Sequence, residues 1–283
     1  MNAMTERIGI IHGMDINDYH AAEGISKTGL DRIARSPAHF YALTLDPNRP
    51  SEKEKAGQLE GQLAHCAILE PDEFDKRYLV GPSGTRATKA WKEFEAELPA
   101  GVIGIKAEQR EVAMRQAESV RKLPDIAEAL ASGFPEVSAF WHDKETGVLC
   151  RCRPDWVHPV GSDGVILLDV KTYSDASPDE FARQAARKRY EVQAAHYTDG
   201  YAQASGLNVL AFIFVAIESD YPPAASAVML DEMSVESGRM KARQNLNTYA
   251  QCLKTGEWPG HGAAIHEVSL PRWAQINEQE IYA

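Results

Sequence analysis

Val165-Ile166-Leu167-Leu168-Asp169-Val170-Lys171-Thr172 is the stretch around which this sequence is read. Its apolar residues, most of them branched, have the composition of a strand buried on both faces, yet a carboxylate and an ammonium are set into the run two positions apart. Side chains at i and i+2 of a strand share a face, so Asp169 and Lys171 are expected side by side where the strand leaves the core. Such a pair can offer a metal ligand and a cation to one phosphate. It can equally be a structural ion pair at a strand end, and the stretch alone fits both.

A second carboxylate, Asp155, lies upstream in Val148-Leu149-Cys150-Arg151-Cys152-Arg153-Pro154-Asp155-Trp156-Val157. The preceding Glu136 to His142 alternates apolar with polar, Asp143 to Gly147 supplies turn residues, and the run that follows is again strand-like, which predicts a hairpin. Pro154 ends pairing or sits at a sheet edge, where Asp155 can project. A further turn, Pro159 to Gly164, leads into the Asp169 strand, so three successive strands are expected as a meander with both carboxylates and Lys171 on its face or at its end. Hard divalent cations such as Mg²⁺ take oxygen ligands from one or two carboxylates and keep several waters, so Asp155 and Asp169 suffice as the nucleus of a site.

The chain has 283 residues, 44% of them hydrophobic and 25% charged, enough for a substantial core and ordinary for a soluble globular protein. No apolar run is long enough to span a bilayer and no signal-peptide pattern opens the sequence, so no membrane association and a cytoplasmic location are expected. Lys and Arg (30) against Asp and Glu (41) give a net charge of −11, which argues against nonspecific coating of DNA but not against an enzyme with a local cationic channel. The densest basic run, Arg183, Arg187, Lys188 and Arg189, fits a solvated helix face or a DNA contact. Of the four cysteines, Cys150 and Cys152 share a strand face while Cys66 and Cys252 are remote. With no C-x-x-C motif, buried strand cysteines are favoured over a zinc site.

Ser26 is a helix cap for the segment to Arg35, with Leu30, Ile33 and Ala34 on one face, and Ser36-Pro37 breaks it before a short second helix. Ser26, Lys27 and Arg35 could bind a phosphate or serve only as cap and solvated charges. Lys55 to Glu70 is a third helix in which Gly57 and Gly61 permit close approach by another element and His65 lies one turn beyond Gly61. On its own, His65 fits a structural or surface role as well as a ligand. Pro71 ends that helix. The loop Gly81-Pro82-Ser83-Gly84-Thr85-Arg86 has the composition of one that orders on substrate, a short helix spans Trp91 to Leu98, and residues 107 to 132 are amphipathic with an interruption near Pro124. Ser177-Pro178-Asp179-Glu180 is a helix start, and the helix is expected to run, with or without a break, to Gly206, with Gln193, Tyr197 and Tyr201 in one stripe. Asn208 to Glu218 is a second buried strand, Ala225 to Leu230 its antiparallel neighbour, Ser234 to Thr255 a helix, and Ile265 to Leu270 a final extended piece.

In this order, Gly61 to His65, Pro154-Asp155, Asp169-x-Lys171 and Gln193 to Tyr197 resemble the motifs of the PD-(D/E)XK nuclease superfamily in its RecB-like branch. Ile25 to Leu30, Ser36 to His39, His65 to Pro71, Arg151 to Asp155 and Asp169 to Thr172 further resemble RecE-type exonucleases, over roughly residues 24 to 260. The resemblance implies an α/β fold of restriction-endonuclease type: a central mixed β-sheet flanked by helices, as one domain over 1–283 with a mainly helical portion to 135 and the catalytic sheet with its flanking helices after it. It implies a Mg²⁺-dependent exonuclease, with Mn²⁺ able to substitute, that digests duplex DNA ends 5′ to 3′ and leaves a 3′ strand for a single-strand annealing protein. It also implies a ring-like homo-oligomer. His65, Asp155, Asp169 and the Val170 carbonyl would hold the metal, with Lys171, Asp169 and Asp155 catalytic and Glu136 a further ligand or an outer group. Gln193, Tyr197, Ser26 and Arg35 would bind substrate. The iron-sulfur cysteines of some RecB-like nucleases are missing, so no cluster is expected. An endonuclease or single-strand nuclease of the same fold, and a noncatalytic DNA-binding protein, are the competing readings.

Overall fold

The computed structural model describes residues 7–50 and 56–271. β1 (Gly9–Ile11), α1 (Ile16–Ala21), α2 (Lys27–Arg35) and α3 (Pro37–Phe40) come first, and α3 widens into a π-helical turn over Tyr41–Leu45. α4 (Gln58–Leu69) and α5 (Pro71–Arg77) lead to β2 (Tyr78–Val80), α6 (Lys89–Glu97) and β3 (Ile103–Ile105), with β2 and β3 forming a small parallel pair. α7 (Ala107–Arg121) and α8 (Pro124–Ala131) follow. Next come β4 (Phe134–Pro135), β5 (Ser138–His142), β6 (Leu149–Cys152), β7 (Trp156–Val160) and β8 (Gly164–Tyr173). The chain continues through α9 (Pro178–Lys188), α10 (Tyr190–Ser205), β9 (Asn208–Glu218), β10 (Ala225–Val228) and α11 (Glu232–Thr255).

β8 is the middle strand of a mixed sheet in the order β10-β9-β8-β7-β4, parallel to β9 and antiparallel to β7. Its apolar residues are divided between two cores, as a strand covered on both faces requires. Val165 and Leu167 pack with Phe181, Val192 and Leu246 of the α9–α11 layer, whereas Leu168 and Val170 pack with Leu63, Ile68 and Val120 of the α4 and α7 layer. Each such fully buried side chain contributes about 2 kcal/mol. A second sheet, β1-β5-β6, lies beside α10 and joins the first of these cores through Ala139, Trp141, Cys150 and Cys152. All four cysteines are free and buried.

The structure is the mixed α/β fold expected, with differences that have local causes. The hairpin β5–β6 forms, but the expected meander does not: the chain breaks at Arg153-Pro154-Asp155, and β6 and β7 belong to different sheets. Proline carries no N–H to continue the ladder. Pro71 does not only end α4 but opens α5 at its first turn, where its missing N–H costs nothing. Gly57 caps α4 with φ +77° instead of lying within it, and only Gly61 admits a neighbour, Thr172 of β8. Ala34 is exposed, and the buried face of α2 is made by Gly29, Leu30 and Ile33. The Gly81–Arg86 loop is already pinned, because Arg86 donates to the Gly104 carbonyl at 2.9 Å and lies over the Trp91 ring. The α9–α10 break falls at Arg189, whose φ is +56°. Lys55 lies outside the described residues.

Two expectations follow from the packing. A Cβ at Gly238 would overlap the Glu191 carbonyl where α11 crosses α10, so Gly238→Ala should cost about 1–3 kcal/mol by urea denaturation; an unchanged midpoint would contradict the crossing. His196 is buried against Trp141, and burial holds its pKa down to about 4 from 6.5. A histidine kept neutral in the fold takes up a proton more readily when unfolded, so its contribution is present above pH 6.5 and is lost as the pH falls toward 4. Stability measured across that window should therefore decline less steeply in His196→Gln than in the wild type.

Candidate active site

The site forms where β8 outlasts β7. Their register ends at Leu168 opposite Trp156, and extending it by two residues sets Val170 opposite Pro154, which has no N–H to give. The Val170 peptide therefore finds side-chain partners. Its N–H donates to Asp155 Oδ2 at 2.7 Å, and its carbonyl lies 2.9 Å from His65 Nε2 on α4. His65 Nδ1 is 3.5 Å from the same Asp155 oxygen. Gly61, one turn earlier on α4, leaves the space against Thr172 that lets the helix come this close.

Glu136 completes the group. Its backbone has φ +53°, unusual for a residue with a side chain, and its N–H donates to the Asp155 carbonyl at 2.9 Å. Arg153 Nε holds its Oε2 at 2.7 Å, while Arg153 itself is anchored on the Met14 carbonyl and the Ser138 hydroxyl. One ligand atom each from His65, Glu136 and Asp155 lie within 4.8 Å of one another. An imidazole nitrogen and two carboxylates at that spacing fit a divalent cation with room for water and substrate oxygens.

Asp169 stands beside this group in a different network. One of its oxygens contacts Lys171 Nζ and the other accepts from Gln193 Nε2 of α10 at 2.5 Å. The carboxylate is buried and both of its oxygens are engaged. The Lys171 ammonium also lies 5.3 Å from the centre of the Tyr190 ring, with Lys27 at 5.5 Å from the same ring. Tyr173 and Tyr190 join through their hydroxyls beside it.

Burial is the dominant electrostatic effect. It pushes the His65 imidazole down to about 4, with Lys171 adding to the effect and Asp169 opposing it. It raises the Asp155 carboxyl well above the usual range, reinforced by Asp169 and Glu136, and it raises Glu136 against the opposing pull of Arg153. For Lys171 burial alone would lower the pKa, but Asp169 and Asp155 outweigh it and the ammonium is held charged. The pocket thus has more negative charge than its two nearby cations offset comfortably, the condition in which a bound cation is stabilising.

Of the residues singled out in the sequence, His65, Asp155, Asp169, Val170, Lys171, Gln193 and Glu136 meet here. Tyr197, two turns from Tyr190, packs edge-on against Phe212 at 5.7 Å, and Tyr201 is buried in the core. Ser26 caps α2, its hydroxyl accepting from Gly29 N at 3.4 Å, while exposed Arg35 lies in the last turn of that helix, about 13 Å along its axis. Lys27 is the member of that trio that reaches the site. Arg183 pairs with Glu180 at 3.0 Å, and Arg189 approaches Asp31 at 3.7 Å. Sequence reasoning passed over Arg153 and Tyr190. The first had a signal, since a residue one step before Pro154-Asp155 alternates onto a definite face; the second depended on where the α9–α10 break falls.

A mixed sheet with a Pro-Asp bend and an Asp-x-Lys strand end, an ordered pair of layers supplying His65 and Gln193, defines the PD-(D/E)XK nuclease superfamily. Residues 26–268 match the PDDEXK-like domain of unknown function (DUF3799), and the chain belongs to that family. A protein from Eubacterium rectale described as a "putative exonuclease" shares the fold at 13% identity, with a TM-score of 0.60 and coverage of 95% of this chain and 98% of that one. An alkaline exonuclease from Laribacter hongkongensis is 15% identical over 69% of this chain and 91% of its own, at a TM-score of 0.27. No curated protein matches the sequence.

The raised Asp155 pKa sets the sign of a stability effect. Its charged form is disfavoured in the fold, so above the unfolded carboxyl value the group destabilises the cation-free protein. Asp155→Asn is expected to melt higher than the wild type in chelator and to lose the upward shift that Mn²⁺ gives the wild type. Equal melting temperatures together with an intact Mn²⁺ shift would remove Asp155 from the ligand set.

Proposed function

We propose that this protein is a divalent-metal-dependent deoxyribonuclease that degrades linear duplex DNA from its ends, 5′ to 3′, and leaves 3′ single strands. The observation that carries this reading is the convergence of His65, Glu136 and Asp155 on one side of the Val170 peptide with the Asp169–Lys171–Gln193 network on the other. The description of the Eubacterium rectale structure as a "putative exonuclease" favours action at ends.

His65, Glu136 and Asp155 would hold the cation, with Asp169 and the Val170 carbonyl within the same enclosure. Mg²⁺ is the expected ion, with Mn²⁺ substituting. When bound, such an ion acidifies a coordinated water and offsets charge on a phosphate. Lys171, fixed by Asp169 and held charged, presents an ammonium to the scissile phosphate and to the charge that develops on it. Gln193 keeps the Asp169 carboxylate in one orientation through its 2.5 Å hydrogen bond, so that the ammonium has a single seat. Tyr197, Ser26 and Arg35 are the remaining candidates for contact with the substrate strand. The 3′ strand left behind is suited to a single-strand annealing protein, and a ring-like homo-oligomer would keep the enzyme on the duplex.

Digestion of end-labelled linear duplex, beside the same sequence as a covalently closed circle, tests the reading. Release of label is expected from the linear form only, dependent on Mg²⁺ or Mn²⁺, and reduced by about 100-fold or more in Lys171→Ala. Cleavage of the closed circle would replace the exonuclease with an endonuclease, and full activity in Lys171→Ala would rule out the assignment of that residue.

A further inference from the structure

β8 and β9 are parallel, so both strands end at the edge of the sheet where the β8 site lies. Lys171 stands opposite Ala216 and Tyr173 opposite Glu218, and the loop 219–224 then carries the chain over to β10. On this loop is Tyr221, whose ring is 81% exposed to water. Adjacent strands are about 5 Å apart and the five residues from Ala216 to Tyr221 extend at most about 17 Å, which keeps the Tyr221 backbone within about 20 Å of Lys171.

Two features distinguish this ring from a side chain that a turn merely leaves on the surface. The first is how firmly the loop is held at its base. Ser219 N donates to the Tyr173 carbonyl at 2.7 Å. The Glu218 carboxylate accepts from Ala176 N at 3.3 Å with one oxygen and from Ala224 N at 3.2 Å with the other, and the Gln116 amide of α7 donates to the Glu218 carbonyl at 2.8 Å. Pro222 and Pro223 further restrict the backbone next to the ring. The loop is therefore ordered before a partner arrives, and little entropy is lost on contact. The second feature is what the ring rests on. The Arg115 guanidinium of α7 lies 5.4 Å from the ring centre and is itself steered by its pair with Glu111, one turn earlier. A cation over one face seats an aromatic ring and leaves its other face available. α7 shares a core with α4, the helix that carries His65.

We propose that Tyr221 is a stacking platform for an unpaired nucleobase of the DNA strand whose end enters the β8 site, with Arg115 as the residue that positions the ring. A flat π surface accepts any of the four bases, so the contact holds the strand without reading its sequence. Asp220 beside the ring and Glu111 on Arg115 repel a phosphate at this spot, which favours the base over the backbone as the part of the strand that is held. The inference rests on the nuclease reading and adds to it a contact with a base, apart from the groups gathered around the Val170 peptide.

The test uses the full chain in Mn²⁺ with a linear duplex whose end linkages are phosphorothioates, so that it is bound without being digested. 2-Aminopurine, whose fluorescence falls when it stacks, replaces each of the first few bases of the 5′-ended strand in turn, and a dye at the far end reports binding by anisotropy. The wild type is expected to bind and to quench one of these positions. Tyr221→Ala should lose the quenching and bind about 10-fold more weakly, while Tyr221→Phe and Tyr221→Trp keep both. Arg115→Ala, which leaves the ring unseated, should lose part of the quenching and bind about 3-fold more weakly. Tyr221 and Arg115 are exposed, so the circular dichroism spectrum is expected to stay unchanged throughout. A Tyr221→Ala variant that binds and quenches like the wild type, or a Tyr221→Phe variant that loses as much as Tyr221→Ala, overturns the platform and leaves the nuclease reading standing wherever the wild type digests the unmodified duplex. A wild type that neither binds the modified duplex nor digests the unmodified one overturns both.

Discussion

Everything at the site depends on the backbone N–H and carbonyl of one residue, Val170, to which β7 offers no partner. β7 ends opposite Leu168, the next partner of β8 would be Pro154, and a proline cannot donate. A buried N–H and carbonyl must still be satisfied. Asp155 takes the N–H of Val170 and His65 takes its carbonyl, so the same atoms that would have continued a ladder now hold a carboxylate and an imidazole in place. The Pro-Asp order is therefore mechanical: the proline, with no N–H for the Val170 carbonyl, ends the pairing, and the carboxylate of the next residue accepts the Val170 N–H.

From that peptide the two layers of the fold become necessary. Residues 168 and 170 face the α4 layer, and residues 167, 169 and 171 face the α9–α11 layer. The imidazole can arrive only from the first and Gln193 only from the second. Gly61 allows the close helix approach on one side. On the other, the break at Arg189 begins α10 with Tyr190, whose ring lies against both Lys171 and Lys27. The electrostatic consequence is a pocket that costs stability when empty of cations. Glu136, Asp155 and Asp169 are brought together, and burial together with mutual repulsion raises Asp155 and Glu136. Arg153 and Lys171 offset part of that, the first fixed on Glu136 and the second on Asp169.

The sequence made β8, β9 and the capped helix starts legible because their signals are local: branched apolar runs, Ser177-Pro178, and the glycines that close helices. It also brought His65, Asp155, Asp169, Lys171 and Gln193 forward through motif order. The β6–β7 split was not legible, since alternation continues through Arg151 and Arg153 and only the register of β8 shows that Pro154 separates two sheets. Glu136 was visible as a carboxylate but not as a near neighbour of His65, because its place rests on a left-handed backbone and on a tether to Arg153. Ser26 and Arg35 read as one phosphate cluster in sequence, yet a helix of nine residues carries them to opposite ends.

The central claim is that the freed Val170 peptide organises a cation site from His65, Glu136 and Asp155. Crystals soaked in Mn²⁺ and measured at the manganese absorption edge test it most directly. An anomalous peak within bonding distance of the His65 imidazole and of the Glu136 and Asp155 carboxylates is the result expected. A peak that none of the three touches, or no peak at this end of β8 under saturating Mn²⁺, would contradict it.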